Sequence, residues 1–280
     1  MTALSVIIPA NNEEGYIGPC LARLAVQDLD PAPLGGAEII VAANACRDAT
    51  VAEADAARAN LEAAGWRLVI LDLGDPGKLG AINSAEQVAR GRVLAYLDAD
   101  VLCAPPMMRL LVATLDRPEP RYASGRLVVA PAKSWISRHY ARVWAQLPFM
   151  ATGVQGAGLF AVNRAGRARW DSFPDVIADD GFVRLMFSPG ERVMVEADYL
   201  WPVVEGFAQL VRVRRRQDAG VREIARRYPA LLVNESKPPM TPGDHLKLFA
   251  RMPLSYLVYV AVILAVRSGG RDAQGWSRGR

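Results

Sequence analysis

The chain has 280 residues, enough to bury a sizeable core as one large domain or as one domain with an appendage. Apolar residues make up 51% and charged residues 22%, which excludes a disordered chain. The net charge of +4 comes from a chain with only four lysines, and no helix-turn-helix, zinc-finger or RNP pattern accompanies it, so no nucleic-acid partner is expected.

The first hundred residues alternate strand and helix. LSVIIP (4–9) is an apolar, β-branched run that Pro9 is expected to stop. Ile17, Leu21, Leu24 and Ala25 then fall at helical spacing. AEIIVAA (37–43) is a second strand, and DATVAEADAARANLEAAG (48–65) a helix with Asp48 as N-cap and Gly65 as terminator. WRLVILDLG (66–74) is a third strand. KLGAINSAEQVARG (78–91) follows as a helix with Leu79, Ile82, Ala85 and Ala89 on one face, and RVLAYLD (92–98) as a fourth strand. This alternation indicates βαβ units and a mostly parallel sheet, in which ligands bind beyond the carboxyl ends of the strands. Three strand ends carry polar loops: PANNEE (9–14), AANACRDAT (42–50) and DADV (98–101). Neither GxGxxG after the first strand nor GxxxxGK[ST] anywhere is present, which excludes the dinucleotide fingerprint and the P-loop.

From about residue 120 the pattern changes. RYASGRLVVAP (121–131) is strand-like, SWISRHYARVWAQLPFM (134–150) an aromatic-rich helix, and TGVQGAGLFAVNR (152–164) a glycine-punctuated strand pair. PDVIADDGFVRLMF (174–187) opens a helix on the acidic pair Asp179 and Asp180, and RVRRRQDAG (212–220) is an arginine run. MPLSYLVYVAVILAV (252–266) is uncharged between Arg251 and Arg267. It is shorter than the roughly 20 residues a spanning helix needs, so it reads either as a helix packed on the core or as an interfacial helix on an anionic membrane. The expected division is a catalytic domain over 1–235, in two halves 1–120 and 121–235, then a helical appendage over 236–280.

Cys20, Cys46 and Cys103 lack CxxC spacing, and only two histidines occur, so a disulfide frame, a zinc site and a histidine metal cage are all unexpected. The N-terminal apolar run is five residues with no basic stretch before it, unlike a signal peptide. The expected location is cytoplasmic, with peripheral attachment to the cytoplasmic membrane face if 252–266 lies on lipid. Asp98-Ala99-Asp100 is either a turn or a seat for a divalent cation on a diphosphate. The triplet alone does not choose, because Asp28-Leu29-Asp30 is a second copy.

The order SVIIPANNEE, EIIVAANACRDAT, GKLGAIN, LDADV, GAGLFAVNR, ADDGFVR, RRRQDAG resembles the family 2 inverting glycosyltransferases of the GT-A fold, over residues 4 to about 220. The resemblance implies an α/β, Rossmann-like, mostly parallel central sheet flanked by helices, with a C-terminal helical appendage. It also implies a non-processive, metal-dependent transfer of a sugar from a nucleotide donor, UDP-linked by expectation, to an acceptor hydroxyl. The acceptor would be a lipid-linked sugar, a cell-surface polysaccharide precursor or a small metabolite. Pro9, Ala10, Asn12 and Glu13 match the loop that cradles base and ribose. Asn44 stands where an aspartate usually contacts the base, which is a departure, as is Ala43 where a second aspartate is common. Lys78 matches a basic residue on the nucleotide side, and Asp98 and Asp100 the Asp-x-Asp motif, with Asp100 as ligand of Mg²⁺ or Mn²⁺. Asp180 matches the catalytic base and Asp179 the acid before it. Arg216, or its neighbours Arg214 and Arg215, matches the diphosphate-binding arginine, with Gln217 where the family pattern has tryptophan.

A base at Asp180 would gain a raised pKa from burial and from Asp179, with Asp179 expected to cap its helix. Trp135, Tyr140, Trp144 and Phe149 read as core packing before an acceptor platform. The rival readings are a sugar-1-phosphate nucleotidyltransferase, against which the acidic first loop argues, and a non-catalytic nucleotide-sugar binder.

Overall fold

The computed structural model describes residues 2–75 and 77–268, without the side chains of 151 and 152. The expected tail of the appendage, 269–280, lies outside the described residues. The strands are β1 (Thr2–Ala10), β2 (Ala37–Asn44), β3 (Trp66–Leu73), β4 (Gly91–Leu97), β5 (Leu102–Cys103), β6 (Tyr122–Val129), β7 (Leu159–Asn163) and β8 (Arg192–Trp201). Between and after them run α1 (Ile17–Ala25), α2 (Thr50–Ala56), α3 (Arg58–Ala63), α4 (Lys78–Val88), α5 (Met107–Leu115), α6 (Trp135–Trp144), α7 (Pro148–Thr152), α8 (Arg164–Arg167), α9 (Asp179–Leu185), α10 (Phe207–Arg227), α11 (Pro242–Arg251) and α12 (Pro253–Ser268). All the strands join one eight-stranded sheet of order β3-β2-β1-β4-β7-β6-β8-β5. The pairs β2–β3, β1–β2, β1–β4 and β6–β8 are parallel, and β4–β7, β6–β7 and β5–β8 antiparallel. The sheet is mostly parallel, as its alternating pattern requires.

β1 and β2 are buried almost throughout, because helices cover both faces of the sheet. One core layer gathers Val6, Ile8, Ile39 and Val41 with Leu21 and Leu24 of α1, and the other gathers Ile7, Ile40 and Ala42 with Ile82 and Ala85 of α4. Strand alternation separates these two sets.

Four local expectations are corrected. β1 continues through Pro9, which pairs with Ala42. Proline is tolerated there because the ladder to β4 ends at Ile7 paired with Tyr96, so Pro9 interrupts no bond on that side. The aromatic-rich helix is two, α6 and α7, divided where Pro148 takes the first turn of a new helix. The glycine-punctuated strand pair is a loop plus the single strand β7. Asp48 is not the N-cap: Ala49 is, and Asp48 lies one residue earlier and accepts from Thr50 N (3.1 Å) and Thr50 Oγ1 (2.5 Å). Gly65, with φ of 83°, does stand just past the end of α3, where a left-handed residue terminates a helix.

The apolar segment 252–266 forms most of α12. Its Val262 packs with Tyr140, Leu210 and Val211 from α6 and α10, and Tyr140 and Tyr259 stack with centroids 5.5 Å apart. No helix among the described residues is long and apolar enough to cross a membrane.

Candidate active site

Parallel pairing sets the carboxyl ends of β1, β2 and β4 side by side, with Ala10 opposite Ala43. The loops leaving them are tied to one another by hydrogen bonds. Asn12 has φ of 53°, a left-handed conformation open to asparagine, and its Oδ1 accepts from Arg47 N (2.6 Å). Glu13 N donates to Thr50 Oγ1 (2.6 Å). Asn44 is 2% exposed. Its Nδ2 donates to Ala10 O (2.9 Å) and its Oδ1 accepts from Gly77 N (3.1 Å). The residue at the point of departure from the family pattern thus pins the end of β1 to the loop that starts α4. An aspartate there would have no proton to give Ala10 O.

That loop delivers Lys78. Its ammonium lies 2.9 Å from Asp98 Oδ1 and 3.0 Å from Asp179 Oδ2. Although burial opposes the charge, the carboxylates of Asp179 and Asp98 raise the Lys78 pKa and hold it cationic. Lys78 joins the tip of β4 to the start of α9, across 81 positions of sequence. Asp98 also opens a turn closed by Val101 N donating to Asp98 O (3.1 Å), with Ala99 and Asp100 as its central residues. The turn and the carboxylate site coexist. The second copy, Asp28 and Asp30, is occupied differently: Asp28 pairs with Arg109 (3.0 Å), and Asp30 accepts from Ala32 N (3.1 Å).

Asp179 is the first residue of α9 and not its cap; Ala178 occupies the cap position. Lys78 holds the carboxylate that the sequence suggested for capping. Asp180 follows, its Oδ1 accepting from Gly181 N (2.7 Å). Burial, then the charge of Asp179, raises the Asp180 pKa, while Lys78, the Gly181 amide and Lys237 pull it down. A buried carboxyl beside a like charge ionises above the ordinary range for aspartate.

The three arginines of the run separate on α10. Arg214 pairs with Asp218 (3.1 Å), and Arg215 donates to Ala265 O (2.7 Å) near the end of α12. Arg216 lies one turn before Gly220, whose Cα packs so closely on Ala178 that an added Cβ would meet the Ala178 Cβ at 2.8 Å. Helical spacing therefore puts Arg216 on the stripe of α10 that faces the start of α9.

One element the sequence undervalued is the Gly156-Ala157-Gly158 loop. Both glycines have positive φ, 72° and 75°. Gly158 O accepts from Asp98 N (2.8 Å), and Tyr199 Oη donates to Ala157 O (2.9 Å). A Cβ on Gly158 would lie 2.8 Å from both Trp201 and Val101. The expected result for Gly158→Ala is therefore a loss of roughly 3 kcal/mol, from left-handed strain and overpacking, and a fall in Tm of roughly 6–10 °C by scanning calorimetry. The paired glycines in the sequence were the available signal.

Trp144 stacks on Trp201 (5.3 Å between centroids) and meets Phe149 edge-on (5.9 Å). Trp135 stays exposed. The aromatic set is thus mainly packing, as expected. All three cysteines are free.

The family model for glycosyl transferase family 2 matches residues 5–171. No curated protein matches the chain. Among solved structures, the mannosyltransferase PcManGT from Pyrobaculum calidifontis, in complex with GDP-Man and Mn²⁺, is 21% identical with a TM-score of 0.59, over 96% of this chain and 76% of that one. TarS from S. aureus in complex with UDP-GlcNAc is 16% identical with a TM-score of 0.52, over 94% and 81%. Glucosyl-3-phosphoglycerate synthase from Mycobacterium tuberculosis, with Mn²⁺, UDP and glucosyl-3-phosphoglycerate, is 17% identical with a TM-score of 0.53, over 81% and 80%. At these identities the likeness is one of fold.

Proposed function

The chain belongs to glycosyl transferase family 2, and on that premise we propose a metal-dependent, inverting transfer of a sugar from a nucleotide donor, UDP-linked in our reading, to an acceptor hydroxyl. The Lys78 bridge carries this reading. It sets the nucleotide-side Asp98 and the Asp179–Asp180 pair about one ammonium, so that a donor at the strand ends meets its acceptor beside Asp180. Neighbouring folds with GDP-Man and with UDP-GlcNAc support the donor class.

Pro9, Ala10, Asn12 and Glu13 form the cradle for base and ribose. Asn44 orders that cradle from below, since its amide is engaged by Ala10 and Gly77. Lys78 and Arg216 offset the charge of the diphosphate, Arg216 with a planar fork suited to phosphate. Gly181 N–H fixes Asp180 Oδ1, and Oδ2 takes the proton of the acceptor hydroxyl. Asp179 pairs with Lys78 (3.0 Å), and its charge helps keep Asp180 basic. One base acting in one displacement at C1 inverts the anomeric centre.

Among the described residues no group of three or more His, Cys, Asp or Glu could hold a metal unaided. That donor set fits Mg²⁺ or Mn²⁺ arriving on a diphosphate, which takes one or two carboxylates and completes its shell with phosphate and water oxygens. Asp100 would hold it, with Asp98 close by. Bound there, the ion supplies Lewis-acid neutralisation of the leaving group. Mn²⁺ in two of the neighbouring folds supports this assignment.

The test is incubation with UDP-, GDP- and dTDP-sugars plus Mn²⁺, with the anomeric coupling of the transferred sugar read by NMR. One donor class is expected to react, with inversion. Retention, or release from no donor, contradicts the reading.

The acceptor in this proposal is a lipid-linked sugar, a polysaccharide precursor or a small metabolite, and α12 favours one held at a membrane. Leu254, Leu257 and Leu264 are exposed along one stripe of α12, opposite buried Ser255 and Val262, and Arg251 and Arg267 bracket the stripe. That pairing of apolar stripe and cationic ends suits peripheral contact with an anionic bilayer. The chain should co-sediment with vesicles containing phosphatidylserine in a salt-sensitive manner. Leu254→Glu with Leu257→Glu should weaken this at least tenfold, since each leucine contributes about 1.5–3 kcal/mol on burial. Equal sedimentation of variant and wild type would rule the contact out.

A further inference from the structure

The stretch between α8 and α9, residues 168–178, forms no helix or strand, so its backbone groups need partners from elsewhere. Two helices supply them. Asn83 of α4 accepts from Phe173 N (2.8 Å) and donates to Phe173 O (3.2 Å). On the other flank, Arg227 of α10 donates to Asp175 O, and Glu223 Oε2 accepts from Ile177 N (2.9 Å). The second oxygen of Glu223 accepts from Arg227 (2.7 Å), so one carboxylate joins both ties. Only Ala178 and Asp179 then separate Ile177 from Asp180.

The same face of α10 is fitted to the residues on either side of Asp180. Gly220 leaves room for Ala178, and a Cβ added at Gly181 would meet Ile224 Cδ1 at 3.4 Å. Glu223, Ile224 and Arg227 follow Gly220 at spacings of three, four and seven, which is one stripe of a helix. Ile224 is buried, and the Glu223 side chain is 18% exposed. A glutamate and arginine paired at i,i+4 in open water would contribute little. Here the carboxylate is mostly out of water and holds a backbone amide as well, a charge-assisted bond. Because Ala178 gives α9 no side-chain cap, the tie at Ile177 sets where that helix starts.

We propose that Glu223 is a positioning residue for Asp180. By holding Ile177 N–H, it keeps the start of α9 where Asp179 meets Lys78 and Asp180 meets the acceptor hydroxyl. Glu223 touches neither substrate nor reacting atom in this role, which rests on Asp180 as the base of the transfer reaction. Arg216 stands one turn before Gly220 on the same stripe, so a single helix sets the spacing between the diphosphate arginine and the base.

Two readouts on the full chain test this, and the first needs no substrate. Hydrogen exchange is followed at the α9 amides, such as Phe182 N, which donates to Ala178 O (2.9 Å). Glu223→Ala should speed exchange about tenfold, the worth of one charge-assisted bond. Glu223→Gln keeps an oxygen for Ile177 N–H and should exchange nearly as wild type does. The second readout is nucleotide release from the donor that the screen selects. Glu223→Ala should lower kcat at least about tenfold with KM for the donor unchanged, and Glu223→Gln should recover most of the loss. In an Asp180→Asn background Glu223→Ala should cost nothing further, because the group it positions is gone. Unchanged exchange in Glu223→Ala would overturn the tie. Faster exchange with unchanged kcat would make Glu223 a stabilising contact only and overturn the positioning role, as would an equal loss in the Asp180→Asn background. Release from no donor, or a wild-type rate in Asp180→Asn itself, would contradict the base reading and this role with it, while the exchange result would still report the tie.

Discussion

Asp180→Asn is expected to bind donor as wild type does and to lose transfer by about 10²–10⁴-fold in kcat, the usual contribution of a positioned base. The change keeps shape and the bond from Gly181 N–H to Oδ1, and removes only the capacity to accept a proton. The pH profile gives a second readout. Because burial and Asp179 raise the Asp180 pKa, the base is lost to protonation as pH falls through a value above the usual aspartate range of about 4. Wild-type activity should therefore rise with pH across that raised value. Lys78→Met removes a charge that lowers the Asp180 pKa, so its acid limb should move to higher pH, and Asp180→Asn should show no such limb. A wild-type rate in Asp180→Asn, or an acid limb that Lys78→Met leaves in place, would show that another group is the base.

Asp100→Ala should abolish the metal-dependent part of the reaction. Neutralising the leaving diphosphate is worth several kcal/mol, so kcat/KM is expected to fall roughly a hundredfold or more. EDTA should reduce wild type to the level of the variant and leave the variant little changed. Turnover in Asp100→Ala that remains sensitive to EDTA would place the metal on other ligands.

Much of this site was legible in the sequence, and the parts that were not have a common cause. Strand ends can be read from apolar runs that stop at polar loops, so the sequence alone puts Asp98, Asp100 and the PANNEE loop at the mouth of the sheet. The acidic pair at 179–180 was visible as a carboxylate doublet opening a helix. Which carboxylate does what was not visible, because it depends on Lys78 reaching both Asp98 and Asp179. A lysine at the head of an amphipathic helix ordinarily reads as a solvated residue. Asn44 looked like a degraded base contact; its work is done by two bonds to chain segments 34 and 33 residues away. The bond from Ile177 N–H to Glu223 spans 46 positions, and locally Glu223 reads as half of a surface pair with Arg227. Local errors followed the same logic. Pro9 reads as a strand breaker unless one knows that the β4 ladder has already ended, and the capping preference of Asp179 yields to an ammonium from another element.

The sharpest measurement is calorimetric titration of UDP or GDP, whichever the donor screen selects, with Mn²⁺ into wild type, Asp100→Ala and Asp180→Asn. A site divided at Lys78 into a nucleotide side and an acceptor side predicts that Asp100→Ala loses the Mn²⁺-dependent share of nucleotide affinity while Asp180→Asn matches wild type. Equal losses in both variants, or a loss confined to Asp180→Asn, would contradict that division.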